Sequence, residues 1–380
     1  MRRTYAYVLL WRMYVSNHIV KNLYLLLFFS VSLFSCTSDN NFLGNLEFYT
    51  DDAAEVFLLS AETGVDSISS SFFYVIDSMA IFNNDNGDKA FDIVRLDAGK
   101  KIGSFCSLGR GHEEFLSISP IFQIYQNRNE MKGLLFAPNE SKFLIWNITE
   151  SIRKDSTIYD NSIFYSWRDK SPVAFCNQYI IGEDSVLLYF PSVSLSSEDR
   201  ITNSYYQIRT LKDNTLLTEI RIFDHPINNK ESKVLPSNFF NVFSSLKPDR
   251  SKLVEVMTRL PQINILNIKT GKVSGYRMKN TQDEDVFLTD MENSLFCYCG
   301  VVSDNNYIYA LWIGTPQNDI PIEKGYHIIH VFDWEGNFVC KITLEQPVHR
   351  LSLDNQKSLL YGWNVEQQKL YKYDMSSLKK

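Results

Sequence analysis

A short β-hairpin recurs along this chain, and its recurrence limits the folds that the chain can adopt. In HVFDWEGNFVCKITL, residues 330–344, two apolar runs flank a turn that contains Asp333, Glu335 and Gly336. Five other segments have the same form, and their turns open near residues 97, 147, 210, 267 and 374. The turns lie roughly 40 to 66 residues apart, a spacing that is typical of the blades of a β-propeller.

The segments between these hairpins favour strands over helices. FFYVIDSMAIF, YIIGEDSVLLYF and NYIYALWIG are short apolar runs, and no long segment has the 3.6-residue period of an amphipathic helix. The chain contains 26 Phe and 21 Tyr, which favour pleated, half-buried surfaces. Each repeat supplies about four strands in roughly 57 residues, and a unit of that size must stack on its neighbours to bury both faces. The sequence predicts an all-β fold, a six-bladed β-propeller with four-stranded antiparallel blades. A β-solenoid, with shorter and more regular repeats, is the alternative.

The last repeat contains one strand fewer than the others. PVHRLSL, KSLLYGWN and KLYKYD provide three strands for the sixth blade. A blade left with an open edge would be prone to aggregation. We therefore expect residues 54–60 (AEVFLLS), an N-terminal strand that precedes the first repeat, to supply the missing outer strand and close the ring.

The first 35 residues have the features of an export signal. Basic residues are followed by NLYLLLFFSVSLFS, an apolar run over residues 22–35 that is shorter than the ~20 residues of a membrane span. The run ends in LFSC, which resembles the lipobox of bacterial lipoproteins, where the processing peptidase leaves the Cys as the lipidated first residue. Met1 and Met13 are both candidate start codons.

The lipobox resemblance implies a domain organisation and a location. A signal peptide would occupy residues 1–35, and a lipidated Cys36, carrying acyl chains such as palmitate, would begin a flexible tether over residues 36–45. The propeller would occupy residues 46–380. Because Thr37 and not Asp follows the Cys, the resemblance implies anchoring in the outer membrane, on its periplasmic or its cell-surface face.

The charge balance excludes one class of partner. Without residues 1–35 the chain carries 34 basic and 44 acidic residues. Binding of nucleic acid depends on a concentrated basic face, so we do not expect a nucleic-acid partner. We expect a monomer that contacts the membrane through its N-terminal lipid only, and whose partner is an envelope protein or glycan.

Two segments carry a family resemblance. FDWEGNFVCKITLEQPVHRLSLDNQKSLLYGWN, residues 332–364, resembles the repeats of the TolB-like six-bladed β-propeller lipoproteins of Gram-negative bacteria. LGRGHEEFLSISP, residues 108–120, resembles the Gly-x-Gly-x-x-Glu-Phe linker between blades of such propellers. The resemblance implies the fold and the lipoprotein class over roughly residues 45–380, and it implies no catalytic residue.

The same linker is the candidate ligand-binding loop. Arg110, His112, Glu113 and Glu114 bring a cation, an imidazole and two carboxylates close together. A structural role is the alternative, in which the glycines permit a tight turn, Glu114 accepts backbone N–H groups and Phe115 anchors the loop in the core.

The segment NNDNGD, residues 83–88, has some features of a calcium-binding loop. Oxygen-bearing side chains precede Gly87 at alternate positions, but Phe82 stands where the first acidic ligand belongs. Asn86-Gly87 between two strands is a common hairpin turn, so we predict a turn here. We predict no metal site and no cofactor here, and calcium is the alternative.

The cysteines give no indication of a disulfide framework, because five remain after Cys36 and an odd number cannot all pair within one chain. In the strand CYC, alternation of side chains would place Cys297 and Cys299 on one face. We predict buried free thiols there and not part of a soft-metal site.

Two functions from different classes fit these features. The first is a non-catalytic binding or scaffolding module without a cofactor, because no nucleophile elbow, phosphate loop or dinucleotide fingerprint is present. The alternative is a calcium-assisted hydrolase or lyase that acts on sugars or lactones at the propeller axis. An enzyme would need Asp, Glu, Asn or His side chains from several blades to converge at the axis. A binding module would present aromatic and uncharged polar side chains there.

We predict that Cys36→Ser abolishes lipidation, because serine has no thiol to receive the diacylglyceryl group. Growth with an alkyne-tagged palmitate should label the native protein and not the variant, and the variant should leave the membrane fraction. Cys106→Ser, which removes another thiol, should keep both properties, and labelling of Cys36→Ser at the native level would contradict the assignment.

Overall fold

Six β-sheets of four or five strands make up the described part of the chain. The computed structural model describes residues 46–164, 177–190, 204–222, 241–282, 290, 292–320 and 324–379. The predicted signal peptide and tether lie outside these residues. The sheets follow one another along the chain as the blades of a six-bladed propeller, which confirms the predicted fold.

Three strands precede the repeats: β1 (Leu46–Tyr49), β2 (Ala54–Leu58) and β3 (Ser60–Asp66). Blade 1 contains β4 (Phe73–Ile76), β5 (Met79–Asn83), β6 (Lys89–Arg95) and β7 (Lys100–Ser107). Blade 2 contains β8 (Gln123–Asn127), β9 (Glu130–Ala137), β10 (Lys142–Asn147) and β11 (Tyr159–Phe164). Blade 3 contains β12 (Gln178–Gly182), β13 (Ser185–Phe190), β14 (Tyr205–Thr210) and β15 (Leu216–Arg221).

Blade 4 contains β16 (Val242–Leu246), β17 (Lys252–Met257), β18 (Gln262–Asn267) and β19 (Val273–Met278). Blade 5 contains β20 (Leu295–Ser303), β21 (Tyr307–Pro316), β22 (Tyr326–Asp333) and β23 (Phe338–Val348). Blade 6 contains β24 (Arg350–Asp354), β25 (Leu359–Asn364) and β26 (Lys369–Asp374). Short 3-10 helices cover Gln317–Asp319 and Ser376–Lys379.

Five of the six repeated segments are hairpins that join the third and fourth strands of their blades, whereas the segment at residue 374 continues from β26 into a 3-10 helix. In blade 5, the carboxylate of Asp333 accepts hydrogen bonds from the N–H groups of Glu335 (3.0 Å) and Asn337 (2.8 Å), which fixes the turn. In blade 2 the turn is expanded into α1 (Ile148–Lys154), and Asn147 caps this helix by accepting from the N–H of Glu150 at 3.0 Å. Within the described ranges, no helix is long and apolar enough to cross a membrane.

Most of the hydrophobic core lies between blades. The structure contains six clusters of buried apolar side chains, and each cluster fills one junction between neighbouring blades. Successive residues of one strand therefore belong to different clusters: Leu134 packs towards blade 3 and Leu135 towards blade 1. Because both faces of a blade are covered, its middle strands are continuous apolar runs.

The ring closes through an N-terminal strand, as predicted, but a different segment provides it. β3 pairs antiparallel with β26 and completes blade 6. The expected segment, residues 54–60, contributes mainly β2, which pairs parallel with β23 and adds a fifth strand to blade 5. Val56 and Leu58 fit this position because they pack on Ile342 and Leu344 in the cluster between blades 5 and 6.

Residues 46–66, which we call the N-terminal strap, span three blades. β1 pairs parallel with β19 on the outer edge of blade 4, before β2 and β3 reach blades 5 and 6. Two blades are thus five-stranded, with one parallel pair each, where the sequence predicted four antiparallel strands. The additional strands cover sheet edges that would otherwise be open.

Tyr49 anchors the strap at the junction of blades 4 and 5. Its hydroxyl lies 3.1 Å from that of Tyr298, which in turn lies 3.1 Å from Nδ1 of His330. The ring of Tyr49 stacks on Phe338 at 5.4 Å and meets Phe332 edge-on at 5.2 Å. Burial lowers the pKa of His330 to about 3, so this aromatic cluster contains a neutral imidazole near neutral pH.

We predict that Tyr49→Ala destabilises the protein by about 2 to 4 kcal/mol, because it removes two ring contacts and the hydroxyl partner of Tyr298. The neighbouring Phe48, which is 51% exposed, provides a matched control, and Phe48→Ala should cost less than about 0.5 kcal/mol. Denaturant unfolding measures both values, and limited proteolysis should cut the strap of Tyr49→Ala first. Equal stability of the two variants would show that Tyr49 is not the anchor.

Candidate functional site

A central cavity of about 570 Å³ is the candidate functional site. Every blade contributes the first strand of its sheet to the wall, so the cavity follows the propeller axis. Cavities of this order bind small molecules in many proteins. Because the wall consists of six edge strands, backbone groups as well as side chains face it.

Side chains from neighbouring blades bridge the inner strands around this wall. Five of the six junctions contain such a hydrogen bond: Tyr74 OH to Pro120 O (3.0 Å), Ile180 N to Gln123 Oε1 (2.5 Å), Tyr179 OH to Ser244 O (2.9 Å), Ser245 Oγ with Ser303 Oγ (2.8 Å) and Val75 N to Ser352 Oγ (2.7 Å). These bonds satisfy edge groups that have no partner strand, and they fix the shape of the cavity.

The two carboxylates of the wall lie beside one lysine. Lys357 donates to the backbone carbonyl of Asp77 at 3.0 Å, and its ammonium lies 3.9 Å from Oδ2 of Asp354. Asp354 also accepts from the N–H groups of Gln356 and Lys357. Lys357 therefore links these two acids across the contact between blades 6 and 1, and Oδ2 of Asp354 is buried without a hydrogen-bond partner.

Arg350 lies at the beginning of its inner strand, and its guanidinium has few partners. One nitrogen, Nη1, donates to the carbonyl of His349 at 2.9 Å, and the guanidinium lies 4.8 Å above the ring of Phe72. Nε is buried without a hydrogen-bond partner. Across the ring, blade 3 carries Asn177, which is 7% exposed and whose Nδ2 also has no partner. Both groups line the cavity.

The loop GRGHEEF has the geometry of the structural alternative. The carboxylate of Glu114 accepts from the N–H of Gly111 at 2.7 Å, and Phe115 is buried between blades 1 and 2. Arg110, His112 and Glu113 are exposed. These residues link β7 to β8 and are not among those that line the cavity, so the structure does not bring them together with Arg350. Their role in ligand binding remains a prediction.

The two strands around NNDNGD pair as the predicted hairpin, but the turn is longer than expected. Residues 84–88 form a five-residue loop, closed by a 2.8 Å hydrogen bond from Asn84 N to Ala90 O. Gly87 is not in the left-handed region that a two-residue turn at Asn86-Gly87 requires. In the described part of the chain, no three His, Cys, Asp or Glu side chains cluster as metal ligands would.

The expectation that the thiols of CYC share one face is wrong. Cys297 packs between blades 4 and 5, whereas Cys299 packs between blades 5 and 6. The pairing of β20 with β21 shifts register on both sides of Tyr298, and each shift breaks the alternation of side chains. Both thiols are free and buried, as predicted. Burial raises the pKa of Cys299 to about 12, so it is not a reactive thiolate.

The other predicted free thiols follow the same pattern. Cys106 and Cys340 are free and buried in the core. Cys176 and Cys36 lie outside the described residues.

Comparison with known proteins agrees with this architecture. A family model described as TolB-like 6-blade propeller-like matches residues 201–356, somewhat less than half of the chain. Over these residues the chain is similar to the TolB-like six-bladed propellers. The match confirms the resemblance that the sequence motifs indicated, and it includes the inner strands of blades 4, 5 and 6. No curated protein matches the chain in sequence.

Several solved structures are similar to this propeller at low identity. Regucalcin from Agrobacterium tumefaciens, described as a calcium-binding protein, is 11% identical with a TM-score of 0.47, over 85% of this chain and 96% of that chain. Raptor from Chaetomium thermophilum is 10% identical with a TM-score of 0.45, over 83% and 29% of the two chains. The Cps50 (Swd1) propeller domain of Myceliophteria thermophila is 10% identical with a TM-score of 0.39, over 83% and 100%. Likeness at this level carries nothing about ligand or activity.

Behind the cavity wall, blade 4 of the propeller contains a buried polar network. Glu255 is 1% exposed and lies next to Ser244 of the wall in the β16–β17 register. Its carboxyl group accepts from Tyr206 OH at 2.7 Å, and Nδ2 of Asn264 lies 3.5 Å away. The network continues through Gln262 to the guanidinium of Arg277. Burial raises the pKa of Glu255 to about 7.

Sequence reasoning missed the polar groups at and behind the wall. Arg350 lies in PVHRLSL, which the repeat pattern predicts only as a strand, and Glu255 lies in the apolar run KLVEVM. In each case a single charged residue interrupts an apolar run. That signal could have identified them, because a lone charge in a strand with two buried faces needs a specific partner.

We predict that Glu255→Gln makes stability less dependent on pH. An unfolded glutamate has a pKa of 4.5, so between about pH 4.5 and about pH 7 the folded state retains a proton that the unfolded state has lost. The native protein therefore loses stability as the pH rises through this window, by an amount on the order of 3 kcal/mol. The variant cannot titrate and should not show this loss.

Denaturant unfolding at about pH 5 and about pH 8 tests this prediction. The difference in unfolding free energy between the two pH values should be smaller for Glu255→Gln than for the native protein. Glu113→Gln, on the exposed loop, should match the native difference. If all three proteins show the same difference, the carboxyl of Glu255 does not titrate in this range.

Proposed function

We propose that this protein is a non-catalytic binding module of the cell envelope, which is anchored to the outer membrane through a lipid on Cys36 and binds its ligand in the central cavity. The lipobox at residues 33–36 and the TolB-like match support the envelope location. The composition of the cavity wall supports binding without catalysis.

Aromatic and uncharged polar residues make up about half of that wall. Three tyrosines and several amide and hydroxyl groups come from at least four blades: Tyr74, Tyr125, Tyr179, Gln123, Gln126, Asn177, Ser244, Ser245 and Ser303. Tyrosine rings provide rigid contact area for the faces of sugars or apolar groups, and the amides and hydroxyls select by hydrogen bonding. This lining is what we expect of a binding module, and an envelope glycan or peptide is a suitable ligand.

The contacts of the two wall carboxylates, Asp77 and Asp354, with Lys357 also support this proposal. General acid–base or calcium-assisted chemistry needs carboxylates that can reach the substrate or the ion. The wall has two, and the Lys357 ammonium draws both Asp77 and Asp354 into the contact between blades 6 and 1. Their structural role explains their position without a reaction.

The experiment is ligand-observed NMR on the full-length protein in detergent, with envelope sugars, peptides and sugar lactones as probes. We expect saturable binding of some probes, with their spectra unchanged over time, both with calcium and with a chelator. Tyr125→Ala should weaken binding, because Tyr125 faces the cavity and makes none of the five inter-blade hydrogen bonds described above. Product signals that require calcium and disappear in Asp354→Asn would instead support the calcium-assisted hydrolase or lyase.

A loop variant provides the matched control. Arg110→Ala combined with His112→Ala changes the candidate binding loop outside the cavity. Binding should persist in this variant if the cavity is the site. Loss of binding here, with retention in Tyr125→Ala, would move the site to the loop.

A further inference from the structure

We infer that the ligand of the central cavity carries a carboxylate, which pairs with the guanidinium of Arg350, while Nδ2 of Asn177 donates to another oxygen of the same ligand. This inference rests on the proposed function, because it concerns the same cavity.

Arg350 carries a positive charge that the protein does not balance. Among the described residues, no carboxylate lies within ion-pair distance of its guanidinium. Its one hydrogen bond goes to a neutral carbonyl, and Nε is buried without a partner. A desolvated charge without a counter-charge is unfavourable, and a carboxylate matches the two parallel donors of a guanidinium.

Asn177 supplies an independent donor on the opposite side of the ring. Its side chain is 7% exposed and lines the cavity, and Nδ2 has no hydrogen-bond acceptor. A buried donor without an acceptor is unfavourable, so a ligand that supplies an oxygen recovers that loss. Two orphaned donors in one cavity select a ligand that is rich in acceptors.

The charges of the cavity are also distributed unevenly. The two acids lie at or beyond the ends of β4 and β24, where Lys357 balances them. Arg350 and Asn177 lie at or just before the beginning of β24 and β12. The inner strands of a propeller run in the same direction along its axis, so the acids and the orphaned donors occupy opposite ends. Among the described residues that line the cavity, neither of the two carboxylates lies at the end with Arg350.

The ring of Phe72 completes the site. The guanidinium of Arg350 lies above this ring, which holds it by a cation–π contact and restricts its movement. A positioned guanidinium loses less conformational entropy when it binds a carboxylate. The aromatic lining nearby fits the body of either an acidic sugar or an aromatic acid, and both share the carboxylate.

Two matched pairs of probes test the inference on the full-length protein in detergent. Glucuronate and glucose differ in the carboxylate, and so do phenylacetate and phenylacetamide. In at least one pair, the acid should bind at least about tenfold more tightly than its neutral partner, as a charge-assisted hydrogen bond provides. Inorganic phosphate, an anion that has no sugar or aromatic ring to contact the wall, should bind more weakly than the preferred acid.

Variants of Arg350 identify the group responsible. Arg350→Gln should remove the preference for the acid, and Arg350→Lys should keep part of it, because the charge remains. Arg250→Gln, which removes another cation of the same wall, should keep the full preference. Unfolding midpoints that match the native protein will show that the variants are folded, and Asn177→Ala should weaken both members of the preferred pair.

The outcomes separate this inference from the proposed function. If acid and neutral probe bind equally, or if Arg350→Gln retains the preference, the cavity binds ligands but does not select a carboxylate. If no probe of either pair binds saturably, neither the inference nor the cavity as the binding site stands. Tighter binding of phosphate than of both acids would assign the site to an inorganic anion and overturn the carboxylate.

Discussion

Burial of both faces of every blade is the constraint on which this structure depends. A four-stranded sheet with two apolar faces has no stable state alone, because either face exposed to water forfeits the free energy of its burial. The six apolar clusters at the blade junctions remove that exposure only when the ring is complete. Ring closure is therefore a requirement of the core itself, and it explains why a strand from the N-terminus pairs with the last blade.

The N-terminal strap extends this principle to the sheet edges. Its first two strands cover blades 4 and 5, and only the third closes the ring. Tyr49 enters the junction of these two blades and contacts aromatic side chains of blade 5. A segment that begins only ten residues after Cys36 is thus held at several points before it reaches the first blade.

The sequence allowed the fold to be predicted because its signals are local. Several turns are fixed by a residue such as Asp333, Asn147 or Asn267, whose side chain accepts a hydrogen bond from its own turn, so the same local pattern recurs along the sequence. Details that depend on the register of pairing could not be predicted. The shifts beside Tyr298 separate Cys297 from Cys299, and the apolar alternation of residues 54–60 fits two sheet edges equally well.

The candidate site was beyond sequence reasoning for a related reason. Its wall is assembled from six strands that lie about 50 residues apart along the chain, and no local pattern links Arg350 to Asn177. The loop at Arg110 is predicted as a binding site because its charges are adjacent in sequence. One of these residues, Glu114, instead stabilises the turn by accepting a hydrogen bond from Gly111. The adjacent charges at Arg110 belong to a loop that forms a turn. The candidate site is instead formed by strands that are distant in sequence and come together only in the folded propeller.

Glu255 and Arg350 are two buried or partly buried ionisable residues, and they differ in how their charge is accommodated. A carboxyl group can become neutral by taking up a proton, and burial of Glu255 favours that form, although the hydrogen bond from Tyr206 opposes it. A guanidinium keeps its charge in proteins and cannot respond in this way. Arg350 has instead a neutral carbonyl, an aromatic ring and an open cavity around it. The group that can be neutralised lies in the core, and the group that cannot lies where a solute has access, which is the arrangement that anion binding requires.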